Sequence, residues 1–179
     1  MFKHFTLKAI LVLALPAVAA FTLATSASAS PRTHVSFSAS NDRASAGWSH
    51  GKGSPIDLTI GTSQASFAEI TFHHLAATTV GSTSEPTFST TNYNAGSPRW
   101  YLTLSDGNTL WGYPPKAGLN GSDFAWAVNN GNTYQSWSTI QAEEGGATVT
   151  GAFVIADADQ SAGTTDVITG LTFNGTSYN

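Results

Sequence analysis

From residue 30 onward the apolar positions never settle into the three-and-four spacing of an amphipathic helix. Short runs of β-branched and aromatic residues recur instead, set between clusters of Gly, Asn, Pro and Ser that mark turns. This punctuation predicts ten strands, over residues 34–39, 56–60, 67–75, 87–91, 99–104, 109–113, 124–128, 134–141, 148–156 and 167–173. Alternation is plain in several of them. Val35 and Phe37 stand against Ser36 and Ser38, and Ile168 and Leu171 sit among polar Thr169 and Thr172, with Gly170 as the expected bulge. Short strands at this spacing, with long loops only at 42–55 and 114–122, specify an all-β chain. The expected architecture is an antiparallel β-sandwich, jelly-roll-like, in a single domain.

The first 29 residues follow another rule. Lys3 and Lys8 precede an apolar run at 9–23 that is short for a membrane span and is interrupted by Pro16. The run leads to Ala27-Ser28-Ala29, the small-x-small pattern of a secretory cleavage site. Residues 1–29 are therefore expected to be a cleaved signal peptide and residues 30–179 the β-sandwich domain. The remaining 150 residues carry five Lys and Arg against eleven Asp and Glu, a formal charge of −6. With no twin Arg, no Cys after the apolar run and no second run of membrane length, the expected location is extracellular, with no membrane partner after cleavage.

Composition narrows the chemistry. Charged residues make up only 10% of the chain, against 21 Ser and 24 Thr, so the polar surface is built from neutral hydroxyls and amides. Three arginines, Arg32, Arg43 and Arg99, offer little to a phosphate backbone, which excludes nucleic acid as a partner. There is no cysteine, although small extracellular domains commonly lean on disulfides. A domain of about 150 residues can bury close to 70% of its extended-chain surface, so a core of Phe, Trp, Val, Ile and Leu can suffice. A bound metal is the other available staple.

The hairpin centred on Asp106-Gly107 decides which aromatics face water. A two-residue type I′ turn, which Asp-Gly favours, sets Leu102 against Trp111 and puts Trp100, Leu102, Leu104, Trp111 and Tyr113 on one core-facing side. A three-residue loop, with Asn108 left-handed and a bulge, shifts the pairing by one. Leu102, Leu104 and Leu110 are then buried together, and Tyr101, Trp111 and Tyr113 form a row on the opposite face. Turn chemistry favours the first register; the leucines favour the second.

That row matters because pyranose rings present apolar C–H faces that stack on flat aromatics, while their hydroxyls bond to amides and carboxylates. Tyr134, Ser136 and Ser138 alternate with Trp137, which places Trp137 on a polar face of the strand expected there. Trp48, in Gly47-Trp48-Ser49, is either a lid over the core or a contact. Trp111, Tyr113, Tyr101, Trp137 and Trp48 are thus the candidate carbohydrate-binding residues, although aromatic stripes in sandwiches are mostly core. Neutral polar surface, Trp-rich strands and an acidic turn together make the chain similar in style to many non-catalytic carbohydrate-binding modules, without a family motif that matches residue by residue.

The acidic turn is the candidate metal site. Asp157, Asp159 and Asp166 surround a Ser/Thr/Gly loop, and alternating oxygens on a curved loop suit a structural Ca²⁺, which takes six to eight of them. The bland reading is a solvated turn whose side chains cap backbone N–H groups. Enzyme readings are weaker. His73 and His74 are neighbours, so on a strand they point to opposite faces, and no nucleophile elbow or Cys is present. A carboxylate pair, nominally Glu69 and Asp123, is the remaining catalytic option. The leading expectation is a secreted non-catalytic protein that binds extracellular or cell-wall carbohydrate. The alternatives are a glycan-active enzyme using a carboxylate pair and a structural cell-envelope or matrix protein.

Overall fold

The structure, a computed structural model, describes residues 32–40, 42–93, 97–115, 123–157 and 163–179. The expected signal peptide and Asp159 of the acidic turn lie outside these residues. The described chain is nearly all antiparallel β, in two sheets with one helix, and its layering is sandwich-like. No helix among the described residues is long and apolar enough to cross a membrane.

One sheet has six strands: β1 (His34–Ala39), β4 (Phe67–His73), β9 (Val149–Asp157), β6 (Arg99–Leu104), β7 (Thr109–Tyr113) and β8 (Ala125–Val128), side by side in that order. The other runs β11 (Thr176–Ser177), β10 (Thr165–Phe173), β3 (Ile56–Thr59) and β2 (Ser45–Trp48), with β5 (Thr87–Thr90) also paired to β10. Apart from 134–141, each expected strand forms within two residues of its sequence-based bounds. Gly170 takes a left-handed φ of 57° where the β10–β5 register shifts, as its place among the β10 residues implied.

The core lies between the sheets. Ile70, Leu102, Leu110 and Val154 of the six-stranded sheet and Ile56, Leu58, Ile168 and Leu171 of the other are all fully buried in one cluster. Trp100 bridges the two layers, with Phe72 at 5.2 Å and Phe173 at 6.0 Å between ring centroids. Each such side chain contributes roughly 1.5–3 kcal/mol on burial, and this is how a chain without cysteine holds together.

Two expectations are corrected. Residues 134–141 are not a strand. They enter helix α1 (Trp137–Glu144), whose N-cap Ser136 accepts a hydrogen bond from the Thr139 N–H at 3.3 Å. The polar–aromatic alternation at 134–139 is real, but Trp137 and Ile140, three residues apart, are what the helix buries. β2 forms inside the loop expected at 42–55, its Ala46 and Gly47 paired with Leu58 and Asp57.

The hairpin takes the second of its two expected registers. Trp100 faces Gly112, Tyr101 faces Trp111, and Leu102 faces Leu110. The loop is three residues long, closed by Gly107 N–H to the Leu104 carbonyl at 3.2 Å and Leu104 N–H to the Asn108 carbonyl at 2.9 Å. Gly107, not Asn108, takes the positive φ, at 91°. Asp106 accepts from the Asn108 N–H at 3.0 Å, so the Asp-Gly pair ends a turn of the commoner handedness and supplies the bulge. Burial of three leucines outweighs the turn preference, because the slip would send Leu110 to the solvent face.

Gly112 makes this packing tight. A Cβ there would stand 2.6 Å from the Trp126 ring of the neighbouring strand. Gly112→Ala is expected to cost about 1–3 kcal/mol through overpacking. Urea unfolding would show a lower midpoint with an unchanged slope.

Candidate functional site

The register that buries the leucines turns an aromatic row outward on the six-stranded sheet. Trp111 of β7 lies opposite Tyr101 of β6, which lies opposite Phe153 of β9. Ring centroids are 4.7 Å apart for Tyr101–Trp111 and 5.7 Å for Tyr101–Phe153. All three rings are half-buried, each keeping part of its surface open. On the same face, half-buried Ile155 follows Phe153 on β9 between Arg99 and Glu69, and Phe67, 37% exposed, lies opposite Asp157 on β4. Contiguous apolar surface of this kind on one sheet face is a mark of an interaction site.

Arg99 and Asp157 anchor the row. The Arg99 guanidinium sits 5.0 Å from the Trp111 ring centroid and is paired through both terminal nitrogens with Asp157, Nη1 at 3.1 Å from Oδ1. The fork fixes the cation under the indole, a stacked arrangement lysine cannot copy. Arg99 is only 8% exposed, so it positions Trp111 instead of reaching a ligand. On the same face, Glu69 accepts from the Thr71 hydroxyl at 2.6 Å.

A second aromatic group adjoins the row at the β8 edge. Tyr113 is 9% exposed, packs edge-on against Tyr134 at 5.5 Å and donates its hydroxyl to Asn130 Oδ1 at 2.9 Å. Asn129 and Asn130 hold left-handed φ values of 52° and 54°, which asparagine tolerates, and their turn presents the Asn130 amide to Tyr113. Half-buried Tyr93 packs against the small cluster of Tyr113, Ala125 and Ala127. Burial first, then the proximity of Tyr113 and Tyr134, pushes the Tyr93 hydroxyl up to about 12, against a weaker opposing pull from Arg99. Because the folded value is raised, the stability tied to neutral Tyr93 is complete below about pH 10 and is lost as pH climbs toward about 12. Ultraviolet titration is expected to show late-ionising tyrosines, since burial also raises Tyr178, and Tyr93→Phe to remove one of them.

The other candidates are placed differently. Trp137 is 7% exposed and donates its indole N–H to the Thr83 carbonyl at 3.1 Å, so it belongs to the core of the helix packing and not to a polar face. Trp48 packs edge-on against Phe37 at 5.4 Å and lies over the core, which makes it a lid. Asp157 is held by Arg99, and Asp166 is fully buried on the core-facing side of β10, opposite Leu58. Among the described residues no three His, Cys, Asp or Glu side chains come together in a way that could hold a metal ion. Glu69 and Asp123 are not a facing pair: β4 and the start of β8 stand four strand spacings apart, roughly 19 Å. His74 leaves the strand at a φ of 54°, so both its ring and that of His73 lie against His34, at 5.2 and 5.1 Å.

Phe153 is the member of the row that sequence reasoning missed. Gly151, Phe153 and Ile155 alternate with Ala152, Val154 and Ala156, so both faces of β9 are apolar and periodicity cannot say which is outside. Only the pairing of β9 with β6 settles it. Comparison with known proteins finds no matching family model, no matching curated protein and no matching solved structure.

Proposed function

We propose that this chain is a secreted, jelly-roll-like sandwich that binds extracellular or cell-wall polysaccharide without transforming it, using the Trp111–Tyr101–Phe153 row as its platform. The observation that carries this reading is the outward aromatic row itself. A sheet that needed these rings only for its core would bury them with Leu102 and Leu110. Instead they lie side by side on the opposite face, with Trp111 seated on Arg99. Strands are about 4.8 Å apart, so rings on three adjacent strands present a strip on which successive sugar residues can stack. Ser36, Thr71 and Thr103 stand on the same face as hydroxyl partners.

Binding of this kind rests on weak individual contacts, with dissociation constants in the millimolar to micromolar range. Titrating the purified protein with soluble polysaccharides while following tryptophan emission tests it. A saturable change with at least one glycan supports the reading, since Trp111 is the partly exposed indole on the platform. Emission that no glycan alters, together with no retention on insoluble cell-wall material, leaves the structural cell-envelope reading in its place.

A further inference from the structure

Concave surface lies beside the platform, at the β8 edge. One cleft of about 580 Å³ is lined by Tyr134, Trp137, Ser138 and Gln141, and another of about 450 Å³ by Thr87, Thr90, Tyr93 and Pro114. Both are also lined by Glu85, Asp123 and Phe124, so they meet there as one groove with two carboxylates at its middle. None of the described residues lining either cleft is a lysine or arginine. Tyr134 and Tyr93 are shared with the aromatic group around Tyr113, so the groove continues the sheet face around its edge.

The chemistry of this groove selects a ligand. Tyr134, 45% exposed, offers a flat ring; the hydroxyls of Ser138, Thr87 and Thr90 offer neutral hydrogen bonds; and the carboxylates offer negative charge. Among the described residues no third His, Cys, Asp or Glu joins the two carboxylates to complete a metal site. The exposed ring of Tyr134 in an otherwise polar lining suits an organic ring that carries hydroxyls better than a bare ion. A uronate or sulfated sugar would be repelled by Glu85 and Asp123, and the chain's net charge of −4 acts in the same direction. What fits all three elements is a sugar carrying its own cation.

We propose that the groove centred on Glu85 and Asp123 binds a glycan bearing free amino groups, with a pyranose face on Tyr134 and an ammonium group between the two carboxylates. The ligand class rests on the glycan reading above; the site does not. Glu85 is positioned by the Trp126 indole, which donates to Oε1 at 2.8 Å and leaves the other oxygen for a ligand. Burial, together with the charge of Asp123 and against the Trp126 bond, holds the Glu85 carboxyl above its ordinary range. An ammonium ion relieves that repulsion, so binding releases a proton and strengthens as pH rises through the range where Glu85 ionises.

Calorimetry with glucosamine, N-acetylglucosamine and galacturonate oligomers of equal length tests the proposal. Charge-assisted hydrogen bonds to both carboxylates imply that the amine oligomer binds about tenfold or more tighter than the other two. Asp123→Asn and Glu85→Gln are each expected to erase most of that preference, and Gln keeps the acceptor that Trp126 needs. Asp106→Asn, at the distant hairpin tip, removes the same charge and is expected to leave the preference in place. Three oligomers of equal affinity, a preference that survives both groove substitutions, one that Asp106→Asn erases equally, or spermine binding as tightly as the amine oligomer would each overturn the groove. Trp111→Ala separates the two readings: a preference for amine that persists in this variant belongs to the groove, whatever becomes of binding on the platform.

Discussion

Trp111→Ala is expected to weaken polysaccharide binding by about thirtyfold or more, the scale of a central aromatic hot spot worth roughly 2 kcal/mol or above. Trp111 is the ring with the largest face in the row, and it is the one seated on a fixed cation. Its loss leaves Tyr101 with Phe153 alone and opens a gap on β7 that no neighbour fills, since the flanking strand carries Ala127 opposite it. The fold should survive. The indole is half-buried on the outer face and outside the core between the sheets, and the contact it gives up with Arg99 is worth about 0.5–1 kcal/mol, while Arg99 keeps its carboxylate partner Asp157. Fluorescence titration and thermal unfolding measured together give the answer. An unchanged affinity in a folded Trp111→Ala protein would remove the platform reading.

Trp126→Ala is expected to have the largest effect on stability, a loss of about 3–5 kcal/mol and a melting temperature lower by on the order of 10 °C. The side chain is fully buried, lies 4.7 Å from the Trp137 ring and occupies the space against Gly112 that no larger residue could share. It therefore joins β7, β8 and α1 at one point. Its removal also strips Glu85 of its indole donor, leaving a half-buried carboxyl without that support. Trp126→Phe separates the two consequences: it refills most of the volume but cannot donate, so stability should largely return while amine binding in the groove stays impaired. Denaturant unfolding of both variants checks this, and equal destabilisation by Phe and Ala would refute the cavity account.

These two rings point to opposite faces of the sheet. Trp111 and Trp126 stand on adjacent paired strands, Trp111 opposite Ala127 and Trp126 opposite Gly112. One face of the sheet takes a large ring from β7 and a methyl group from β8, and the other reverses the sizes. This complementary large–small pairing is what lets β7 present an indole outward while β8 buries one.

How much of this was legible depends on the kind of signal. Strand positions were, because β-branched and aromatic runs between turn residues are a local property and period-two alternation survives any tertiary arrangement. Helix α1 was not. Eight residues that bury only Trp137 and Ile140 give no helical stripe, and the cap at Ser136 is the one local sign. The tip of the hairpin was read from Asp106-Gly107, yet that dipeptide serves two loop lengths, and the choice between them was made by Leu110 finding Leu102 across the ladder.

For the sites the division is sharper. By itself the amino-acid sequence determined an all-β chain without disulfides, a surface of hydroxyls and amides, and an excess of aromatic side chains over what charges could offer a ligand. These follow from composition and short-range pattern. Tertiary structure alone decided that Tyr101, Trp111 and Phe153, from three strands up to fifty-two residues apart in number, share one outer row, while Trp137 and Trp48 are spent on packing. It also brought Glu85 and Asp123 into one groove, from segments with no pattern between them. The reason is that a strand's side chains are assigned to a face by the register of its neighbours, and register is settled by long-range burial, which no local window contains.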